Sequence, residues 1–443
     1  MPGSVSTQRQ IFLFWVPLAA SWLLMCAEVP VLQAAIARLS DMQTQLAAFG
    51  IITSLEIAIE SPVIMLLATS TALSTSRRNY LALRRFMIWT ITLETGVALA
   101  VAFTPLYDLI VRSLMGIPPN IADAARPGMG IMTLWTAAIG VRRFYQGVMI
   151  RYGRTRLIGY GTILRLCSSG GTGILLALIT RLPGVYVGSI GLMAGVLMEA
   201  LFVSWAVRPT VSRILADAEE HSTDALSVRD VLRFHAPLAA TSLLTLFAQP
   251  LIGAALARMP DPEETLAAWP VVWGILSIFR SPAYALPEAV IALVTRHHLQ
   301  VAVRTFCRRT GIASSIAMLL LAATPLLDLY LRYIAGLPAH LSRYVIPGML
   351  LGLALPFINS IHSWLRGLLV AAHATSAVYW GMGLNLAVTA ALVIAGVFFR
   401  TPGTATAAAA LTAAFTSEIY YMRRACRLCR VPLRPAPDQR ATS

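Results

Sequence analysis

Long apolar runs separated by short polar breaks set the pattern of this chain. Runs of spanning length fall near 11–37, 46–73, 86–111, 121–148, 157–180 and 184–206, and again near 235–257, 266–293, 305–333, 341–370, 375–398 and 402–425. Each is long enough to cross a hydrocarbon core of about 30 Å, which needs about 20 helical residues. The pattern predicts an all-α membrane protein of about 12 transmembrane helices. Between the two sets, 208–233 is hydrophilic and holds Asp217, Glu219, Glu220, Asp224 and Asp230. The expected organisation is an N-terminal six-helix lobe at 1–207, a cytoplasmic linker at 208–233, a C-terminal six-helix lobe at 234–425 and a cytoplasmic tail at 426–443.

The second set repeats the first. Placing Pro17 on Pro237 sets an offset of 220, and the offset holds without a gap. Pro30 then falls on Pro250, Arg38 on Arg258, Asp41 on Asp261, Ser61-Pro62 on Ser281-Pro282, Gly116 on Gly336, and Pro127-Gly128-Met129 on 347–349. Such self-similarity marks an internal duplication. An even number of spans per half makes the two repeats parallel, related by an axis along the membrane normal. The partner of residues 11–27 is internal, so the first span is expected to be retained and not cleaved as a signal peptide.

Composition sharpens this picture. The 443 residues are 57% hydrophobic and only 12% charged, with mean hydropathy +0.70. A soluble domain carries about 25% charge, so a soluble enzyme, a disulfide scaffold and a disordered chain are excluded. Thirty-five basic residues against 20 acidic ones give a net charge of +15, and every basic residue is arginine. No basic stripe with interleaved aromatics lies on a soluble segment, so nucleic acid is not an expected partner. Arginines gather instead in breaks after even-numbered spans: Arg77, Arg78, Arg84, Arg85; Arg142, Arg143, Arg151, Arg154, Arg156; Arg296, Arg304, Arg308, Arg309; and Arg423, Arg424, Arg427, Arg430 in the tail. By the positive-inside rule both termini are expected in the cytoplasm, with the chain in the cytoplasmic (inner) membrane. Cys426 and Cys429 form a lone C-x-x-C, which reads as two unpaired thiols on the tail; no metal site is expected.

Charged residues inside the spans carry the functional signal, because a charge near the bilayer centre costs at least about 2.5–3.5 kcal/mol and must find protein or water. These are Glu28, Glu56, Glu60, Glu94, Arg165 and Glu199 in the first half, and Arg280 and Glu288 in the second. Glu56 and Glu60 lie four apart on one helix face. Glu60 and Arg280 are repeat partners and are expected at the same depth. A buried glutamate suits proton release and uptake, so Glu28, Glu56 and Glu60 are the candidates for proton or cation coupling. Arg280, Glu288, Arg165, Glu199 and Asn359 are the candidates for substrate contact or charge pairing; the competing reading is a satisfied Glu–Arg network, such as Glu199 or Glu94 with Arg165. His235, Gln249, His362 and Asn385 read as packing residues that could supply polar contacts. Pro30, Pro62, Pro250 and Pro282 are expected helix kinks or hinges, since proline removes a backbone donor. Asp261-Pro262-Glu263-Glu264 reads as a capping box opening a span, with Asp41 in the same place before the second span. Ser168-Ser169-Gly170-Gly171-Thr172-Gly173 lacks the ending of a phosphate loop and reads as a helix-packing stretch.

Several stretches resemble one transporter superfamily, that of the multidrug and toxin extrusion proteins and lipid-linked oligosaccharide flippases, and most resemble its progressive-ankylosis-like branch. They are Phe14-Trp15-Val16-Pro17-Leu18 with Glu28 following, Leu46-Ala47-Ala48-Phe49-Gly50 running to Ser61-Pro62, Phe234-His235-Ala236-Pro237-Leu238 through Gln249-Pro250 to Arg258, and Pro282 through Glu288. The loop Ser74-Thr75-Ser76-Arg77-Arg78-Asn79 departs from the signature of the major facilitators. The resemblance implies a V-shaped pair of six-helix lobes that exports by alternating access. It also places Glu28 near an acidic coupling-cation position on the first helix, shifted by about one residue. The expected function is therefore secondary active export of a small organic solute, MATE-like and coupled to H+ or Na+. The alternatives are a flippase for a lipid-linked precursor and a small-anion exporter of the ankylosis type. No catalytic motif of an intramembrane enzyme is present, no cofactor beyond the coupling ion is expected, and the expected partners are the substrate and the bilayer, with the protein a monomer.

Overall fold

The computed structural model describes residues 3–154, 156–216, 226–294, 300–372 and 374–428. Among these residues every regular element is helical. The first half runs α1 (Gly3–Ile36), α2 (Met42–Ile59), α3 (Ser61–Ile64), α4 (Leu66–Leu73), α5 (Arg77–Phe103), α6 (Pro119–Met132), α7 (Trp135–Arg151), α8 (Arg156–Ile179), α9 (Gly184–Ala206) and α10 (Arg208–Ala216). The second half runs α11 (Val228–Leu246), α12 (Ala248–Leu256), α13 (Pro262–Tyr284), α14 (Leu286–Val294), α15 (Gln300–Ala323), α16 (Leu326–Leu329), α17 (Ala339–Gly352), α18 (Leu355–Ala371), α19 (Thr375–Phe398) and α20 (Gly403–Leu428). Each of the twelve apolar stretches is helical. Nine helical runs of the described residues are long and apolar enough to cross a membrane, and ten if the bent pair α17–α18 is one span. Of the remaining stretches, α6 and α7 have 14 and 17 residues, and the first half of α20 is built largely of alanine and threonine.

The duplication is written in the backbone as well as the sequence. Asp41 and Asp261 share a left-handed φ of 50°, and Gly116 and Gly336 share φ of 68° and 70°. A π-helical turn at Asp108–Leu114 recurs at Tyr330–Ile334. Proline interrupts α6 at Pro127 and α17 at Pro347.

Pro62 and Pro282 show how the chain tolerates such residues in lipid. Each removes the donor to the carbonyl four residues back, at Ala58 and at Ile278. The Ser61 hydroxyl donates to Ala58 O at 2.8 Å and the Ser281 hydroxyl to Ile278 O at 2.7 Å, so neither carbonyl is orphaned. Of the expected hinges, Pro62 and Pro250 follow helix breaks at Glu60 and Phe247, whereas Pro30 sits inside the unbroken α1. Pro282 lies within α13, and the break comes at Ala285, ahead of Pro287.

The residues group into two compact units: Met1–Ala27 with Val272–Tyr333 and Pro338–Ser443, and Glu28–Val271 with Ile334–Leu337. These units do not follow a cut at the linker, because α1 and α13 each contribute one part to either unit. In the first, Ile11, Trp15 and Ala19 join a core with Leu286, Val290, Phe306, Leu365 and Met422. Trp15 donates to Pro282 O at 3.0 Å and meets Phe306 edge-on, with centroids 5.3 Å apart. In the second, the repeat partner of Trp15, His235, meets Phe86 edge-on at 5.1 Å and bonds Thr69 Oγ1 at 2.9 Å. Each half thus begins with a helix docked on the other half.

One expectation at a helix start is corrected. Asp41 makes no side-chain cap to α2; its carboxylate accepts from Thr44 Oγ1 instead, at 2.9 Å. Capping side chains typically sit on extended backbone, whereas Asp41 is left-handed. A capping box at Ser227 and Asp230 opens α11. The expected linker is in part ordered, since α10 and the start of α11 occupy its ends, while 217–225 lie outside the described residues. Cys426 is not a tail thiol: it is fully buried in α20, in the core of the first unit, and Cys429 lies outside the described residues.

Candidate functional site

Five carboxyl groups and three guanidiniums meet inside the unit built on Glu28–Val271. Glu28 on α1 accepts two parallel bonds from Arg165 on α8, Nε at 3.0 Å and Nη2 at 2.6 Å, and the carboxylate is 2% exposed. Such a fork-to-fork pair is the strongest ordinary ion-pair geometry. Arg165 also lies 3.8 Å from Glu199 on α9 and packs over the Trp135 ring at 5.6 Å. Glu199 is fully buried; it accepts from Arg142 Nη1 at 2.5 Å and from Gln146 Nε2 at 3.0 Å, both one face of α7. Trp135, at the start of that helix, donates through Nε1 to Glu60 in the break after α2.

Against this paired background Glu56 stands apart. It is fully buried on α2, and neither carboxylate oxygen has a hydrogen-bond partner. Glu94 on α5 is also buried, with Oε2 unpartnered. A carboxylate without donors at such a site is expensive when ionised.

The other unit holds a counterpart. Glu418 on α20 lies 2.9 Å from His362 Nε2 on α18 and accepts from Asn385 Nδ2 on α19 at 2.8 Å. Arg142 and His362 are repeat partners at the offset of 220, as are Arg165 and Asn385. Glu199 Cγ comes within 3.4 Å of a Cβ built on Gly161, and Glu418 Cγ within 3.3 Å of one built on Gly381. The same buried carboxylate site therefore occurs twice, held by arginines in one copy and by histidine and asparagine in the other. Nearby, Arg280 is 2% exposed and bonds only Asn359 Oδ1, at 3.3 Å through Nη2. Its Nε and Nη1 have no partner, and its charge is faced by the rings of Trp273, Tyr284 and Phe415 at 5.4, 5.7 and 4.8 Å.

No protein-family model and no curated protein sequence matches this chain. Solved structures do. An inward-facing multidrug resistance MATE family transporter of the MOP superfamily superposes with TM-score 0.69 at 11% identity, over 92% of this chain and 96% of that one. The Vibrio cholerae MATE transporter VcmN superposes with TM-score 0.60 at 16% identity, over 97% and 99%. The lipid II flippase MurJ, in an inward closed conformation, superposes with TM-score 0.65 at 13% identity, over 94% and 87%. The chain has the MATE transporter fold.

Within this MATE fold, Glu28, Glu56, Glu60, Arg165 and Glu199 come together in one unit, while Arg280 and Asn359 pair in the other. Glu288 joins neither cluster and is exposed. Arg142 is moved from its expected place: it is no loop arginine but a buried residue of α7, 3% exposed, and Arg143 beside it is half-buried. Its own apolar stretch, 121–148, already held it; a count of basic residues near loops could not separate the two settings. Gln146, Trp135 and Glu418 were also missed. For Glu418 the signal was present, a lone carboxylate in the alanine-rich stretch 403–414 and its continuation. Ser168–Gly173 lies inside α8 as expected, with Ser169 and Gly170 buried.

Proposed function

We propose that this multi-pass membrane protein is a secondary active exporter of a small organic solute, working by alternating access and coupled to a proton or sodium ion. The observation that carries the reading is Glu56, a fully buried carboxyl with no partner for either oxygen, one turn from Glu60. A carboxyl in that setting binds a cation whenever it is not exposed to water, and a cycle that alternates its access turns such binding into coupling. The Glu28–Arg165 pair is already neutralised, so the coupling cation is assigned to Glu56 and Glu60, with Glu28 holding α1 to α8. The MATE fold supports the transporter class.

A second reading, a flippase for a lipid-linked precursor or an exporter of small anions, is favoured by Arg280, whose unpartnered Nε and Nη1 would suit a phosphate or carboxylate.

The test is flux in liposomes under an imposed pH gradient and then a sodium gradient, with a cationic dye, citrate and pyrophosphate as solutes. Gradient-driven dye flux is expected in the wild type and is lost in Glu56→Gln. Full flux in both Glu56→Gln and Glu60→Gln refutes the coupling assignment. Flux of the anions alone, lost in Arg280→Ala, moves the protein to the second reading.

A further inference from the structure

Arg38 follows the end of α1, and its repeat partner Arg258 follows the end of α12. Arg38 donates back to Ala34 O and forward, at 3.0 Å, to Ile334 O at the end of the second-half π-helical turn. Arg258 donates back to Ala254 O at 2.7 Å and forward to Met115 O and, at 2.5 Å, to Leu114 O at the end of the first-half turn. Residues 34 and 254, and 114 and 334, are themselves repeat partners. The two links are thus reciprocal: the first helix of each half clasps the third-helix loop of the other. The last carbonyls of a helical turn lack donors, and a guanidinium supplies both the donors and the complementary charge.

The loops are shaped to receive these guanidiniums. Gly116 and Gly336 turn the chain at positive φ, 68° and 70°, where other residues are strained. A Cβ on Gly116 would lie 2.9 Å from Arg258 Cζ, and one on Gly336 3.5 Å from Arg38 Nη1. Further links between the halves crowd the same end of this unit. Asn120 donates to Glu263 at 3.0 Å and Gln33 to Pro270 O at 3.1 Å. Gly50 faces Pro270, its own repeat partner, so the pseudo-two-fold axis passes beside this contact.

We infer that the Arg38 and Arg258 clasps are the closed latch of a gate at the membrane face opposite the arginine-rich breaks, made in one stroke of the transport cycle and released in the other. The inference rests on the transport reading. Both arginines are exposed, as are Leu114 and Ile334, whose main-chain carbonyls accept from them, so water can replace the guanidinium there. That is unlike the buried Glu28–Arg165 pair. Because the two clasps are equivalent, they open together. Arg38 and Arg258 are positioning residues, touching neither ion nor solute.

The experiment measures the rate of maleimide modification at Gln33→Cys, about one and a half turns before Arg38 on α1, in a cysteine-free protein held in lipid nanodiscs. Thr69→Cys, buried on α4 near the arginine-rich break that follows it, is the control. In Arg38→Ala/Arg258→Ala the Gln33→Cys site is expected to react about tenfold faster, with the Thr69→Cys site unchanged and the slow rate restored by Arg38→Lys/Arg258→Lys. An unchanged rate at Gln33→Cys overturns the latch. Equal acceleration at both sites also overturns it, because the arginines would then hold the fold as a whole. Labelling needs no solute, so a failure to find transport leaves this result decisive, and a failed latch leaves the transport reading to the flux assay.

Discussion

Glu199 shows what a single buried charge demands. Its two oxygens are fully used by Arg142 and Gln146, and Arg165 lies close. Replacing Glu199 with Gln strands Arg142, which is 3% exposed, and breaking a buried pair in this way costs about 3–5 kcal/mol. Glu199→Gln should therefore melt at a markedly lower temperature in detergent, measured by loss of the monodisperse peak on heating. Removing both charges, as Glu199→Met/Arg142→Met, should recover most of that loss; equal melting of the single and double variants would count against the pairing. The sequence marked Glu199 and Arg165 as in-span charges in need of partners, because depth in a membrane is legible from flanking apolar length. It did not mark Arg142, because a residue near the end of an apolar run reads equally well as a loop cation until a helix axis shows which way it points.

At the scale of elements, the helix starts are where local sequence was most misleading. Asp41 looks like a cap by residue type, but its backbone is left-handed and its side chain makes no cap to α2. Ser227 and Asp230 form a reciprocal cap on α11, with Ser227 Oγ accepting from the Asp230 amide at 3.2 Å and Asp230 Oδ2 accepting from the Ser227 amide at 3.1 Å. Ser227→Ala should cost about 1 kcal/mol. Hydrogen exchange is the direct check: the amides of 228–231 should exchange faster, while those of α8 do not change. Breaks elsewhere were legible in part: Pro62 and Pro250 follow helix breaks, whereas Pro30 and Pro282 lie within helices. Prolines at repeat-related positions mark where the main chain loses a donor, and the neighbouring serines show how the orphaned carbonyls are answered.

For the whole molecule, the exchange of first helices between halves has a consequence for assembly. Trp15 docks on Pro282 and Phe306, and His235 on Thr69 and Phe86. Neither half can complete its packing alone. Fragments divided within 217–225 and co-expressed should copurify as one complex. If each fragment instead purified as a monodisperse species without the other, the exchange would not describe the protein in solution. The sequence by itself determined that the chain is helical, that it crosses the membrane many times and that it is a tandem duplication. In hydrocarbon every backbone group must be satisfied within its own segment, which writes span length and polarity directly into local composition. Only the tertiary structure decided which half each first helix packs against, that Glu28 is matched by Arg165 across 137 residues of chain, and that Glu56 is left without a partner. Those outcomes depend on distances between residues remote in sequence, and a periodic pattern of apolar positions carries no record of them.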